Sequence, residues 1–173
     1  MTEMKRTFSK DCLSDALLLL MRDKKAADIT VKEITQKAGV SRATWFRSFS
    51  DKREAVVYNL VRKWERWADM HNLKDPGKIS SANVDSFVDY IYEIRGVRQA
   101  LLKSDMQSTI LDSFLAVLVA EHYDSGSPDF YTLQFMTYGM TGIVEGLAQE
   151  DYRTKKAQIA AYLRQFIGVY SEL

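Results

Sequence analysis

Residues 30–52 read TVKEITQKAGVSRATWFRSFSDK, a pattern that predicts two short helices joined by a tight turn. Thr30 and Glu33 have the spacing of a capping box, in which the threonine hydroxyl and the glutamate carboxylate each accept the other residue's backbone N–H. Gly39 is expected to end the first helix, because glycine adopts a positive φ without steric cost. Ser41 offers its hydroxyl to cap the second helix. The stretch therefore predicts a helix-turn-helix.

The second helix of this pair has two different sides. Trp45 and Phe49 fall on one side, where we expect them to be buried. Short or cationic residues cover the remainder, together with one further aromatic ring: Arg42, Ala43, Thr44, Phe46, Arg47 and Ser48. A recognition helix needs such an outer face, because its backbone must enter a major groove about 12 Å wide. The residues alone also allow an ordinary helical hairpin with a solvated charged face.

Charge is spread unevenly along the chain. Residues 1–53 hold 12 Lys and Arg against 7 Asp and Glu, a net charge of +5, whereas residues 54–173 hold 12 against 16, a net charge of −4. The whole chain of 173 residues has a formal charge of +1. A basic end on an acidic body favours a polyanionic partner for the basic end. Lys5, Arg6 and Lys10 at the start of the first helix fit either a phosphate backbone or a solvated tail.

The segment AGVSRATWFRSFSDK, residues 38–52, resembles the signature of the TetR/AcrR family of bacterial transcriptional regulators, AGVS-x-G-T-(L/F)-Y-x-(H/Y)-F-x-(S/D)-K. The agreement extends over about 45 residues, from the first helix into the fourth. Three positions depart from the family pattern. Ala43 replaces glycine, Phe46 replaces tyrosine and Ser48 replaces histidine or tyrosine. Phe46 lacks the phenolic hydroxyl that would donate to a phosphate, so the resemblance implies the docking mode rather than these phosphate contacts.

The resemblance implies an all-α fold of about nine helices. It divides the chain into a three-helix DNA-binding domain, residues 1–52, and a helical effector-binding and dimerisation domain, residues 53–173. Apolar residues do recur at helical spacing along nearly the whole chain. Besides the helix-turn-helix, we expect helices around residues 8–21, 52–72, 81–92, 97–103, 105–122, 129–149 and 154–170, with Asp51 and Glu54 as a second capping box. Asp75-Pro76-Gly77 and Ser125-Gly126-Ser127-Pro128 are expected breaks.

Three glycines interrupt the penultimate helix, at Gly139, Gly142 and Gly146. Each costs the helix up to about 1 kcal/mol relative to alanine. Close approach of a second copy in a two-fold dimer would offset that cost. The last helix would supply the rest of a four-helix interface, with Tyr162, Phe166 and Tyr170 among its residues. Glycines tolerated against a neighbouring helix, or left open for a ligand, are the alternative.

Apolar and aromatic residues of the body suggest an effector pocket, which the resemblance also implies. The residues expected to line it are Trp64, Phe87, Tyr90, Ile91, Met106, Ile110, Phe114, Met136 and Met140. For each residue alone, an ordinary core position is the simpler interpretation, since a methionine or aromatic at helical spacing usually packs in the core. The chain is also shorter than many members of the family, which favours a small cavity or none.

Several classes of function are not supported by the sequence. His71 and His122 are far apart and lack the spacing of a zinc motif, so we expect no metal and no cofactor. No nucleophile, P-loop or dinucleotide motif occurs, so we expect no catalytic residues and no enzyme activity. Cys12 has no partner for an internal disulfide and is expected to be a buried apolar filler in a reducing compartment. Without a signal peptide or a long apolar run, the expected location is the bacterial cytoplasm, in association with the nucleoid and without a membrane partner.

The sequence thus predicts a homodimeric repressor that binds a palindromic double-stranded DNA operator and is released by a small apolar or amphipathic effector. Arg42, with Arg47 and Thr44, is expected at base edges. Ala43 is small enough to let the helix backbone approach the bases. Thr30, Ser41, Phe46, Ser48 and Lys52 are expected along the DNA backbone, with Lys52 and the start of the fourth helix as an anion site. The fourth helix is the expected lever between the two domains. The alternative is a TetR-like DNA-binding module that a protein partner regulates, with no small-molecule effector.

Overall fold

Helices make up nearly all of the regular structure in the computed structural model of the protein, which describes residues 3–73, 82–118 and 128–170. Within these ranges there are nine α-helices, one 3-10 turn at Ala26–Asp28 and no strand. The helices are α1 Glu3–Leu20, α2 Val31–Ala38, α3 Arg42–Ser48, α4 Lys52–Met70, α5 Val84–Glu93, α6 Arg95–Lys103, α7 Thr109–Leu118, α8 Pro128–Gln149 and α9 Lys156–Tyr170. The predicted all-α class is confirmed.

Turn chemistry explains where several helices begin and end. α4 ends at Met70 because Asn72 takes a positive φ of 51°, and the N–H of Leu73 then reaches back to the carbonyl of Ala68 at 3.0 Å. α7 begins at Thr109, later than expected, because Asp105 also has a positive φ and closes a turn after α6. Three predicted features lie outside the described residues. They are the break at Asp75-Pro76-Gly77, the end of the helix expected to reach His122, and the loop at residues 125–127.

The chain packs as two compact units, one formed by Met1–Lys63 with Val97–Ser113 and the other by Trp64–Gly96 with Phe114–Leu173. The helix-turn-helix lies in the first unit, together with most of α6 and the start of α7. The predicted functional division into residues 1–52 and 53–173 differs from these packing units and stays a prediction.

The core of the first unit joins α1 to the helix-turn-helix. The buried residues are Leu13 and Leu17 of α1, Met21 just after α1, Ile34 of α2 and Trp45 of α3. Each such side chain stabilises the fold by about 1.5–3 kcal/mol. Two expectations for α1 are corrected. Phe8 is exposed and Cys12 is only half-buried, because both lie away from the side of α1 that faces this core.

Polar side chains add specific links between α1 and α4. The Asn59 amide donates to Ser14 Oγ at 3.0 Å and to Asp15 Oδ1 at 2.7 Å, and the Tyr58 hydroxyl donates to Asp11 Oδ1 at 2.8 Å. Because Asn59 and Ser14 are buried, these bonds favour one alignment of the two helices over others.

The second unit has an apolar core bounded by ion pairs. α5 buries Phe87, Val88 and Ile91, and α9 buries Leu163 and Ile167. At the exposed edge between these helices, Asp85 pairs with Arg164, and Lys156 Nζ lies 2.6 Å from Asp89 Oδ1. Exposed pairs of this kind each contribute about 0–1 kcal/mol, so the buried apolar face supplies most of the stability.

Candidate nucleic-acid interface

The capping box expected at the start of α2 is present. The Glu33 N–H donates to Thr30 Oγ1 at 3.2 Å, and the Thr30 N–H donates to Glu33 Oε2 at 2.8 Å. The Thr30 hydroxyl also donates to Glu33 Oε2 at 2.8 Å. Thr30 is exposed, as a DNA-contacting residue must be, but its hydroxyl proton is already engaged within the cap. Its role along the DNA backbone stays a prediction.

Glu33 is also the anionic partner of Lys24, which precedes the 3-10 turn. Hydrogen bonding to the Lys24 ammonium, and then to the backbone and hydroxyl of Thr30, lowers the pKa of the Glu33 carboxyl from 4.5 to about 2. The same pair raises the pKa of Lys24 above its usual 10.5. Glu33 therefore remains ionised near neutral pH, and it holds the start of α2 in place.

A glycine turn sets the angle between α2 and α3. Gly39 has a φ of 68°, and its N–H donates to the carbonyl of Gln36 at 3.3 Å. The N–H of Val40 donates to the carbonyl of Thr35 at 3.0 Å. This pair of bonds is a Schellman motif, which satisfies the last carbonyls of α2 and requires a residue that tolerates positive φ. The turn therefore has the chemistry that the sequence predicted.

Ser41 caps α3, since its Oγ accepts the Thr44 N–H at 3.2 Å. The two hydroxyl oxygens of Ser41 and Thr44 lie 2.9 Å apart, within hydrogen-bond distance. Arg47 Nη2 makes a long contact of 3.5 Å with Thr44 Oγ1. The side chains of Ser41, Thr44 and Arg47 thus contact one another in series along one edge of α3. Thr44, three residues before Arg47, restrains the Arg47 guanidinium.

The solvent-exposed surface of α3 consists of Arg42, Ala43, Phe46 and Arg47, which we call the outer face of α3. The opposite side is firmly packed, with Trp45 2% exposed and Phe49, just after the helix, 3% exposed. Their ring centroids are 5.5 Å apart. The packed rings hold the helix in one rotation about its axis, so that the outer face points to solvent.

Two residues predicted along the DNA backbone have other environments. Ser48 is only 9% exposed, because it follows Trp45 by three residues and shares the packed side of α3. Lys52 Nζ donates to the carbonyl of Ala26 and contacts that of Ala27 at 3.5 Å. These carbonyls belong to the 3-10 turn. The structure thus gives Lys52 a role in holding this turn, which the prediction of a free phosphate contact did not include.

The start of α4 also differs from the expected anion site. The Glu54 N–H donates to Asp51 Oδ1 at 2.8 Å, as the second capping box predicted. The Glu54 carboxylate, however, accepts the Ser50 N–H at 2.7 Å rather than that of Asp51. Hydrogen bonds from the Ser50 backbone and hydroxyl lower the pKa of Glu54. The Asp51 carboxylate therefore takes one N–H of the first turn of α4, and the anion site stays a prediction.

Some contacts of this unit have no local sequence signal. Lys10 Nζ lies 5.3 Å from the ring centroid of Phe49 and 5.2 Å from that of Tyr58. Arg53 Nη1 donates to Ser108 Oγ at 3.0 Å, and Arg53 also pairs with Asp112. These contacts keep Lys10 beside the helix-turn-helix and link the start of α4 to α7.

The residues predicted to line an effector pocket are divided between the two packing units, and the pocket stays a prediction. Met106 and Ile110 belong to the first unit, whereas the other seven belong to the second. Trp64 packs edge-on against Tyr90 and Phe87, with centroids 5.0 and 6.1 Å apart, and Phe87 lies 5.8 Å from Phe114. These rings pack against one another as a core does. Ile91 is fully buried in the same unit.

The remaining two predicted pocket residues, Met136 and Met140, line an apolar groove of about 370 Å³ between α8 and α9. Predicted dimer residues line the same groove. The full lining is Phe135, Met136, Gly139, Met140, Gly142, Ile143, Leu163, Phe166 and Ile167. A Cβ atom added at Gly139, Gly142 or Gly146 would meet nothing within 4 Å. Contacts within the described chain therefore do not explain why these positions are glycine.

Exposed aromatic side chains surround this groove. Tyr162 and Phe166 of α9 are each 58% exposed, and Phe135 of α8 is 60% exposed. The side chain of Tyr170 lies outside the described residues. So many large apolar groups at one surface are typical of a face that another molecule covers.

A polar cleft in the second unit lies between Trp67, His71, Glu93 and Lys156. Its groups are bonded to one another: Trp67 Nε1 donates to Glu93 Oε2 at 2.9 Å, and His71 stacks on Trp67 with centroids 3.9 Å apart. Among the described residues, no cluster of three or more His, Cys, Asp or Glu could hold a metal ion. None of the described helices combines the length and the apolar character that crossing a membrane requires.

The described helices, with a helix-turn-helix at α2 and α3, have the architecture of TetR-type regulators. One solved structure with this fold is that of a TetR transcriptional regulator from Rhodococcus sp. RHA1. The two structures superpose with a TM-score of 0.62, covering 95% of this chain and 96% of that chain, at 14% sequence identity. This similarity establishes the fold. No family model matches the sequence, and comparison with curated proteins also gave no match.

Proposed function

We propose that this protein is a DNA-binding transcriptional regulator of the TetR type that acts as a homodimer. The observation that carries the proposal is the outer face of α3. It presents two exposed arginines beside a small residue, Ala43, on a helix that is capped at its start and packed firmly on its other side. Such a helix can enter a major groove with its backbone close to the bases.

Arg42 and Arg47 take different parts in this proposal. Within the described residues, Arg42 has no hydrogen bond or ion pair, so its guanidinium is available for bidentate bonding to a guanine. Arg47 is restrained by Thr44 and adopts fewer orientations. Thr44 and Ser41 remain candidates for base and phosphate contacts. Ser48 is set aside as a backbone contact because it is buried.

A dimer through α8 and α9 supports the same function. One helix-turn-helix reads about half of a palindromic site, and a two-fold axis supplies the second copy. The open space above Gly139, Gly142 and Gly146 permits close approach of a helix from another copy. The apolar rings around the groove supply the area that association would bury.

Repression with release by a small apolar effector remains the regulatory mode that we propose. An effector must bind the DNA-competent and released conformations with different affinity, because equal affinity shifts nothing. Trp64, Phe87 and Tyr90 pack against one another, so an effector at this place would have to displace these rings. The alternative is that a protein partner regulates the molecule and no small effector binds. A thermal-shift screen with apolar amphiphiles separates the two modes, because an effector in excess over its Kd raises the unfolding temperature.

The decisive experiment is selection of bound sequences from a random pool of double-stranded DNA. The expected result is a palindromic consensus that the wild-type protein binds and the R42A/R47A variant does not prefer over random DNA. The K32A variant, which removes an exposed lysine of α2 outside the outer face, is the charge control. Failure of the wild-type protein to bind any duplex at low ionic strength would refute the proposal.

A further inference from the structure

Phe46 is an aromatic residue that the folded unit leaves in solvent. It is 65% exposed, although its neighbour Trp45 is 2% exposed. Within the described residues it stacks on no other ring and no cation lies over it. A phenyl ring has neither a donor nor an acceptor for a phosphate. Its exposure therefore has no explanation within the unit itself.

The ring lies in the middle of the outer face rather than at its border. Successive side chains on an α-helix are separated by about 100° around the axis. Ala43 points away from the buried Trp45, and Phe46 and Arg47 lie on either side of Ala43 at about 60° and 40°. A surface that approaches Ala43 must therefore meet the ring of Phe46 as well.

The charge of the neighbouring residues identifies that surface. Arg42 and Arg47 lie on the two sides of the ring and are exposed, and the first 53 residues carry a net charge of +5. An apolar ring between cations fits a polyanion that also offers an apolar group. In the major groove of DNA that group is the C5 methyl of thymine, which aromatic and aliphatic side chains contact directly.

We propose that Phe46 reads a thymine methyl at one position of each half-site. The inference rests on the proposed function and adds a specificity-determining residue to it. Contact with a methyl group removes apolar surface of both partners from water, and a methyl group contributes about fourfold in affinity at about 0.8 kcal/mol. Cytosine, adenine and guanine offer no methyl at that place, so Phe46 discriminates against them.

Uracil substitution tests this directly. In the duplex selected by the wild-type protein, each thymine is replaced in turn by uracil, which keeps base pairing and removes only the methyl. We expect one thymine per half-site at which uracil weakens wild-type binding about fourfold, by the free energy of one methyl contact. At that thymine, F46A should bind the thymine and uracil duplexes equally, whereas F46L should keep part of the difference.

The outcomes separate this inference from the proposed function. If the wild-type protein binds its selected duplex but F46A shows the same loss as wild type at every uracil, the ring does not read a methyl, and the inference is wrong while the function stands. If F46A loses affinity uniformly for all duplexes, the ring lies on the sugar edge, and the inference is again wrong. If the wild-type protein binds no duplex, the proposed function itself fails. Circular dichroism of F46A checks that the exposed substitution leaves the helices intact.

Discussion

The ammonium group of Lys52, at the first residue of α4, donates to the backbone carbonyl of Ala26 in the 3-10 turn before α2. Because these residues are 26 positions apart, the bond joins two segments on either side of the helix-turn-helix. An ammonium that donates to carbonyls of the protein has fewer N–H groups left to donate to a phosphate. We therefore expect Lys52 to stabilise this turn, and its contact with a phosphate stays a prediction.

We expect K52A to lower the free energy of unfolding by about 1–2 kcal/mol, since a hydrogen bond from a charged donor to a part-buried carbonyl is lost. The salt dependence of DNA binding should keep its slope, because counterion release follows the number of phosphates neutralised. Urea denaturation and a salt titration of binding measure the two effects. K32A, at an exposed position of α2, should leave stability within about 0.5 kcal/mol of wild type. If K52A instead weakens the salt dependence of DNA binding and leaves the stability unchanged, Lys52 contacts a phosphate.

R42A should relax base preference at one or two base pairs of the selected site. We expect the variant to lose about 1–3 kcal/mol of binding free energy on the selected duplex and much less on a duplex altered at those base pairs. The reason is that Arg42 is exposed and has no partner within the described chain, so that its full bonding capacity is available to a base. Competition binding with single-base variants measures the preference. Equal weakening on all duplexes would assign Arg42 to the DNA backbone.

The lowered pKa of Glu33 predicts a contribution to the free energy of unfolding that depends on pH. Its pKa in the folded protein, about 2, lies below the ordinary 4.5. The ionised form is therefore favoured by folding, so the contribution is fully present above about pH 4.5 and is lost as the pH falls toward 2. We expect E33Q to be less stable than wild type at pH 6 and equally stable near pH 2. Urea denaturation of both proteins across this range gives the difference. A constant difference at all pH values would exclude the carboxylate as its cause.

Local hydrogen bonding was predictable because it depends on residues a few positions apart. The cap of Thr30 and Glu33, the positive φ of Gly39 and the cap of Ser41 all follow from side-chain chemistry and spacing. The same reasoning placed the helices, since apolar residues recur at the helical period. Non-local contacts have no such signal. Arg53 and Asp112 are 59 positions apart, and only the folded backbone brings them together.

The candidate site was predictable in part. The outer face of α3 was predicted from residue types, and Arg42, Ala43, Phe46 and Arg47 are exposed there. Ser48 was placed outward by the family motif, although its helical position beside Trp45 puts it on the packed side. The effector pocket was inferred from composition, and composition does not distinguish rings that line a cavity from rings that fill one. Phe87 and Tyr90 are buried against other rings.

Asn59 should be one of the most sensitive polar positions of the first unit. N59A removes its bonds to the buried Ser14 hydroxyl and to the part-buried Asp15 carboxylate, which both lose this donor. We expect the free energy of unfolding to fall by about 2–3 kcal/mol, because one of the acceptors is charged. Thermal and urea denaturation measure the loss. The double variant N59A/S14A should cost less than the sum of the single variants, since the two residues share a bond.

The glycines of α8 provide a test of the dimer with a matched control. G142R places a large cation over the apolar groove, where the monomer has open space, so the folded monomer should tolerate it. If another copy covers the groove, the charge is buried without a partner, and the dimer should dissociate. G96R is the control, because Gly96 is also a helical glycine with open space but belongs to α6 and is not among the residues that line the groove.

Sedimentation equilibrium of the three proteins gives the answer. We expect wild type and G96R to be dimers and G142R to be a monomer with unchanged helix content. DNA binding connects this result to function. A monomer holds one recognition helix, so G142R should bind an isolated half-site as well as wild type does, but should lose the gain in affinity that a palindrome gives. A dimeric G142R that keeps full affinity for the palindrome would move the interface elsewhere, and the open glycines would then need another explanation.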